Sequence, residues 1–308
     1  MNRPKTINLD ITSRCTLACS GCDRVWYKKN NKTIPKNDLS LEDFDKISNY
    51  YETILFCGQI SDPTFNPFFI DMLKMCYEKN VKVQVSTAAS HRPKEWYVKA
   101  FEANSKAKWI FALDGFPKDS HKYRINQDGE KIWQMMQLAV SMGIQTVWQY
   151  IVFEYNEDDQ FKAYDIAKKN GMEFLLIESS RFDDDNDNTK HLKPEVSYTE
   201  KQRRNDFKPK CLEGKEYGWD YMGRLLPCCW FWEPDNYHLS QSKLTQDKFH
   251  ISNIKKVEDV INSKEWIEFH KMLKENPENA PDICKLKCGV RGGKTSTRTL
   301  MNEITNDR

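Results

Sequence analysis

Three cysteines near the start of the chain have the spacing and setting to do chemistry: Cys15, Cys19 and Cys22, in the run Cys15-Thr-Leu-Ala-Cys19-Ser-Gly-Cys22. Thiolates this close in sequence can close around one metal centre and leave its fourth coordination position open. An open position on a soft, thiolate-held metal is where a further ligand can bind and react. A second set lies in the last third of the chain: Cys211, Cys228, Cys229, Cys284 and Cys288. Four thiolates suit tetrahedral zinc as well as an iron–sulfur cluster, so ligand type leaves both open there. Cys57 and Cys76 stand alone and read as buried apolar thiols.

Ten cysteines in 308 residues is a high count. No apolar stretch near the N-terminus is long enough for a signal peptide, and no run approaches the ~20 apolar residues of a membrane span. The expected compartment is therefore the cytoplasm, where clustered cysteines point to metal binding or catalysis rather than disulfides. The net charge of +2 leaves no electrostatic footprint for nucleic acid or an anionic membrane.

The elements that must position these thiols alternate over the first 180 residues. Strand patterns fall at Thr6–Thr12, Thr53–Gly58, Val81–Ser86, Trp109–Leu113, Thr146–Phe153 and Phe174–Ile177. Helix patterns fall at 40–50, with Ser40 as its cap, then at 68–77, 93–103, 130–142 and 157–170. Six strands, the first five each followed by a helix, predict an α/β fold with parallel pairing. Periodicity alone allows a partial (β/α)6 TIM-like barrel or a doubly wound sheet. The expected organisation is a barrel domain over 1–180 and an acidic linker over 181–210, holding the run Asp183–Asn188. A small cysteine-bearing region follows over 211–292, then a loose basic tail over 293–308. Within 211–292 the sequence predicts a hairpin turning at Gly223 and a long helix from Val257 to Leu273.

The cysteine loop directly after the first strand resembles the cluster loop of the radical S-adenosylmethionine (radical SAM) enzymes, and this resemblance selects the partial barrel. The hairpin Tyr217–Cys229, with Gly223 and then Pro227-Cys228, the helix after it and the pair Cys284, Cys288 resemble twitch, the shortened form of the SPASM auxiliary-cluster region. The resemblance implies a [4Fe–4S] cluster held by Cys15, Cys19 and Cys22, with S-adenosylmethionine (SAM) on its fourth iron. It implies a second, auxiliary [4Fe–4S] cluster on Cys211, Cys228, Cys284 and Cys288. Cys229 is the alternative to Cys228, because neighbouring strand residues face opposite ways.

Further positions match the family's cofactor contacts. The run Cys57-Gly58-Gln-Ile-Ser61-Asp62-Pro63 is similar to the Gly-Gly-Glu-Pro segment that holds the amino group of the methionine moiety, with Ser61 and Asp62 replacing Gly and Glu. Ser86 and Thr87 end the third strand, where hydroxyls contact the cofactor. Asp114 and Arg124 belong to a segment similar to one in peptide-modifying members, with Arg124 suited to the methionine carboxylate. The family's aromatic residue before the third cysteine is Gly21 here, with Trp26 and Tyr27 close by in sequence.

Candidates at the strand ends for substrate binding or proton transfer are Gln149, Tyr150, Glu154, Glu178 and Arg181. The implied activity is a radical SAM oxidoreductase acting on a small polyhydroxylated molecule or a peptide side chain, with a low-potential donor such as flavodoxin or ferredoxin. The chain starts at its first strand, with no leader-binding domain before it, which favours the small molecule. The alternatives are a peptide cross-linking maturase and, in another class, a zinc-stabilised binding protein.

Overall fold

The computed structural model describes residues 6–179, 182, 189–195, 207–213, 217–232, 237–240, 242, 244, 246–289 and 297–301. In chain order the strands are β1 (Thr6–Leu9), β2 (Thr53–Phe56), β3 (Lys82–Thr87), β4 (Lys108–Ala112), β5 (Thr146–Ile151), β6 (Glu173–Glu178), β7 (Gly218–Trp219), β8 (Leu225–Leu226) and β9 (Thr297–Leu300). The expected alternation holds through β6. Helices follow β1 to β5 at Leu41–Ser48, Phe69–Glu78, Lys94–Ala103, Gly129–Ser141 and Gln160–Lys169. Ser40 caps the first of these, its hydroxyl accepting the Asp43 N–H at 3.1 Å. A short helix, Asp23–Lys29, which the sequence reading lacked, follows the cysteine loop. The chain divides into two compact units, Met1–Arg14 with Ile34–Val83 and Gln202–Gly293, and Cys15–Thr33 with Gln84–Lys201 and Lys294–Arg308.

In the first unit, β1 pairs in parallel with β2 on one side and with β7 on the other. The expected hairpin is present, β7 and β8 being antiparallel. Its turn needs φ +77° at Gly223, a conformation glycine adopts without steric cost. Ile7, Leu9, Ile54 and Phe56 are fully buried, and Phe56 packs on Phe44 and Phe69 from the two flanking helices, with ring centroids 5.8 and 5.2 Å away. Burying each such side chain contributes about 1.5–3 kcal/mol. The long helix expected over 257–273 is instead two, Glu258–Ile261 and Lys264–Glu275. Ser263 breaks it, its hydroxyl capping the second helix at the Trp266 N–H.

In the second unit, β3, β4, β5 and β6 pair in parallel in that order. β4 is nearly all apolar and buried along most of its length, as a strand covered on both faces must be. Trp148 on β5 is fully buried, and its indole N–H donates to the Leu113 carbonyl at 2.7 Å. The end of the chain corrects the sequence reading. Residues 297–300 are not a loose tail but strand β9, antiparallel to β6 from Leu175↔Leu300 to Glu178↔Thr297. An edge strand left open exposes unpaired N–H and C=O groups, and the run Thr297-Arg-Thr-Leu300 covers it. The acidic run Asp183–Asn188 lies outside the described residues. Among those described, no helix is long and apolar enough to cross a membrane.

Candidate cofactor site

The cysteine loop is built within the second unit. Backbone bonds tie it to the segment 123–126: Ala18 N–H to the Ile125 carbonyl at 3.0 Å and Ser20 N–H to the Tyr123 carbonyl at 3.4 Å. Asn126, at φ +73°, adds its side-chain amide to the Thr16 carbonyl at 3.3 Å. Asparagine is among the few non-glycine residues that adopt this conformation readily. A turn closes at Cys22 N–H to Cys19 carbonyl, 3.0 Å, and Arg24 donates to the Cys15 carbonyl. Trp26 and Tyr27 pack edge to face with centroids 5.3 Å apart, and Lys32 lies over both rings. The three cysteines are half-buried and none is in a disulfide, and the Cys15 sulfur accepts the Leu17 N–H at 3.4 Å. Cys19 packs against the buried cluster of Tyr123, Phe153, Phe182 and Leu192, as does Tyr155.

Burial pushes the Cys19 thiol up to about 11, opposed by the Arg124 guanidinium and reinforced by Cys22. Arg124 reaches Asp114 at 2.7 Å from Nε to Oδ2. Asp114 is fully buried at the end of β4, and its other oxygen accepts the Ile151 N–H at 2.8 Å. Burial pushes the Asp114 carboxyl up, and Arg124 pulls it back. The ion pair is made through Nε of the Arg124 guanidinium.

The other predicted cofactor segment is built within the first unit, where β2 ends. Cys57 N–H donates to the Leu9 carbonyl, and the chain then turns through Gly58 to Pro63. A Cβ on Gly58 would stand 1.9 Å from the Ser61 carbonyl oxygen, so only glycine lets the turn close. Asp62 is buried and its carboxylate is engaged locally, accepting the Thr64 N–H at 3.1 Å and the Thr64 hydroxyl at 2.5 Å. It thereby caps the short 3-10 turn Pro63–Phe65. The hydroxyl of Ser61 donates to Asp10, and so does the Gln59 N–H, at 3.1 Å. Asp10, which sequence reasoning did not single out, is the carboxylate that holds this turn. Its signal was the polar alternation Asn8, Asp10, Thr12 against Ile7, Leu9, Ile11. Cys57 departs from expectation in being half-buried: its thiol lies 3.7 Å from Asn8 Oδ1, and it lines a small pocket with Asp10, Asp220, Cys229, Trp219 and Leu226. Cys76 is fully buried as expected.

The second cysteine group also lies within the first unit. The Cys228 thiol is pushed well up, first by burial and then by Cys229, Cys211 and Cys284. Cys284 is pushed up to about 12 by burial and by Cys211 and Cys288. Cys228 thus feels Cys229, Cys211 and Cys284, and Cys284 feels Cys211 and Cys288, while Cys229 also lines the pocket beside Asp10. Among the described residues, no three His, Cys, Asp or Glu side chains stand together as a single metal ion requires. One zinc ion with bonds of about 2.3 Å draws its thiolates to within about 4 Å of each other. A cubane spreads its thiolates over separate irons and so asks a wider spacing of them.

The remaining candidates scatter. Ser86 is half-buried and Thr87 buried at the end of β3. Gln149 lies in β5, in register with Ala112 and Leu175. Tyr150 is fully buried, and its hydroxyl donates to the Asn156 carbonyl at 2.6 Å, a structural bond. Glu154 is exposed at the start of a 3-10 turn. Glu178 ends β6 opposite Thr297, and Arg181 lies outside the described residues.

No protein-family model matches the chain. A tungsten-containing aldehyde ferredoxin oxidoreductase cofactor-modifying protein of Pyrococcus furiosus is 30% identical over 84 residues, 27% of this chain and 23% of that protein's length. Among solved structures, Streptococcus suis SuiB superposes with a TM-score of 0.64 at 13% identity, covering 94% of this chain and 73% of SuiB. The structure of anSMEcpe with bound S-adenosylmethionine and the Kp18Cys peptide superposes with a TM-score of 0.56 at 13% identity, covering 94% of this chain and 88% of that one. The fold is therefore that of the radical SAM enzymes, with their partial TIM-type barrel.

Proposed function

We propose that the chain is a radical SAM enzyme: it holds a [4Fe–4S] cluster on Cys15, Cys19 and Cys22 and binds SAM there. The observation that supports this is the loop of three reduced cysteines after the first strand, on a fold shared with a protein seen with SAM bound. The cluster and SAM, when bound, supply one-electron cleavage of a C–S bond and a 5′-deoxyadenosyl radical that abstracts a substrate hydrogen. The protein's own part is to orient and to exclude water. Arg124 would meet the methionine carboxylate with its terminal nitrogens, and its charge favours the thiolate of Cys19. The turn Gly58–Pro63 would receive the methionine amino group through its backbone, Ser61 and the carboxylate of Asp62, which Thr64 engages at Oδ1. Tyr123, Phe153 and Tyr155 would shield the cluster's Cys19 side from water.

The region 211–292 would hold one auxiliary [4Fe–4S] cluster on Cys211, Cys228, Cys284 and Cys288, able to take up the second electron in an oxidation. The reaction proposed is oxidation of a peptide side chain or of a small polyhydroxylated molecule in the cytoplasm. The peptide is the better supported class, because a neighbour of this fold is seen with peptide bound. The test is iron and acid-labile sulfide per chain after anaerobic reconstitution, with 5′-deoxyadenosine release from SAM and a reductant. About eight irons in the wild type and about four in a Cys15/Cys19/Cys22→Ala variant, with 5′-deoxyadenosine from the wild type alone, is the expected result. Zinc in place of iron would overturn the reading and leave a zinc-stabilised binding protein.

A further inference from the structure

Asp10 is an expensive residue in an unusual place. It follows β1 directly, is 5% exposed, and is ringed by groups that do not neutralise it. The carboxylate of Asp220 faces it from the end of β7 but is itself paired to Arg224, Nε to Oδ2 at 2.6 Å. Asn8, Cys57, Trp219, Leu226, Cys229 and Trp232 line the pocket with it. Burial, opposed by the Ser61 and Gln59 bonds and reinforced by Asp220, pushes its carboxyl up to about 7. A buried carboxyl without a cationic partner is retained at a cost.

What Asp10 does touch is specific. Oδ1 accepts the Ser61 hydroxyl and Oδ2 the Gln59 N–H, so its two oxygens grip the turn on either side of Ile60. Gly58 folds the same turn back onto the Ser61 carbonyl, and Asp62 turns its Oδ1 to Thr64, so neither ties Gln59 to Ser61. Asp10 therefore supplies the side-chain anchor that fixes how Gln59 to Ser61 present their backbone.

We propose that Asp10 is a positioning residue for SAM: by holding Gln59 and Ser61 it keeps the Gly58–Asp62 turn in the shape that receives the cofactor's amino group. This rests on the reading above that the turn is the cofactor seat. Anchoring works through hydrogen bonds rather than charge. An asparagine can keep both contacts, accepting from Gln59 N–H and donating to the Ser61 oxygen, whereas alanine keeps neither.

The experiment uses the full-length, cluster-reconstituted chain as wild type, Asp10→Ala, Asp10→Asn and Ser61→Ala. Hydrogen exchange of the 57–62 segment without SAM and equilibrium dialysis with SAM are the readouts. Asp10→Ala should speed exchange at Gln59 at least tenfold and weaken SAM binding at least tenfold. Its kcat at saturating SAM should stay within a few-fold, a KM effect. Asp10→Asn should rescue both, and Ser61→Ala, which removes one anchor and keeps the fold if Asp10→Ala does not, should fall between. Unchanged exchange in Asp10→Ala and Ser61→Ala overturns the proposal, as does an Asp10→Asn loss as large as the alanine's. A wild type that loads iron and binds no SAM defeats the cofactor reading instead, and the exchange result is then what identifies that failure as separate.

Discussion

The buried pair Asp114–Arg124 gives a quantitative test of how the cysteine loop is supported. Arg124→Met keeps much of the side-chain volume and removes the charge, leaving the carboxylate of Asp114, 0% exposed, without its cation. Removing one partner of a buried pair typically costs about 3–5 kcal/mol. Here the cost has a ceiling, because Asp114 can escape by taking up a proton. Protonation costs about 1.4 kcal/mol for each pH unit above the ordinary carboxyl value of 3.8, so about 4 kcal/mol at pH 7. In the variant the folded carboxyl titrates above its unfolded value. Stability is then retained near pH 4 and lost progressively as pH rises. At pH 5 the same ceiling is only about 1.6 kcal/mol. Urea unfolding followed by circular dichroism at both pH values measures this. A second variant, Asp114→Asn/Arg124→Met, keeps the acceptor for the Ile151 N–H and should recover to within about 1 kcal/mol of wild type. A loss below about 1 kcal/mol at pH 7, or one that does not shrink at pH 5, would refute the assignment of Arg124 as the charge partner of a dry carboxylate.

Cys228→Ser should lower reconstituted iron by about four per chain while Cys229→Ser leaves it unchanged, measured by iron and sulfide analysis; the reverse would exchange their roles. Gly58→Ala forces a Cβ against the Ser61 carbonyl and should cost about 1–3 kcal/mol and weaken SAM binding more than tenfold by equilibrium dialysis. Affinity equal to wild type would remove the turn from the cofactor site. Asp10 titrates near 7 when folded against 3.8 as the ordinary value, so wild-type stability should fall as pH rises between about 4 and 7. Asp10→Asn lacks that titration, and its stability relative to wild type should rise by about 2–3 kcal/mol from pH 5 to 7, then level off above 8, read by urea midpoints.

Local rules made much of the molecule legible from its residues. The period of apolar positions located β1 to β6, Ser40 marked a helix start, and Gly223 marked the hairpin turn, because each depends on neighbours along the chain. The three-thiol loop was legible for the same reason: its spacing is its chemistry. What depended on distant partners was not legible. Thr297–Leu300 became a strand only because β6 offered an open edge, and the helix at 257–273 was cut by one serine whose capping bond outweighed propensity. Asp62 carries the carboxylate that a motif match favours, yet Thr64 engages it, and the anchoring carboxylate arrives from Asp10, some fifty residues earlier in the chain. Sequence spacing states which groups are available. Only the folded chain decides which donors lie within 3 Å of which acceptors, and whether a carboxylate has a cation beside it or none.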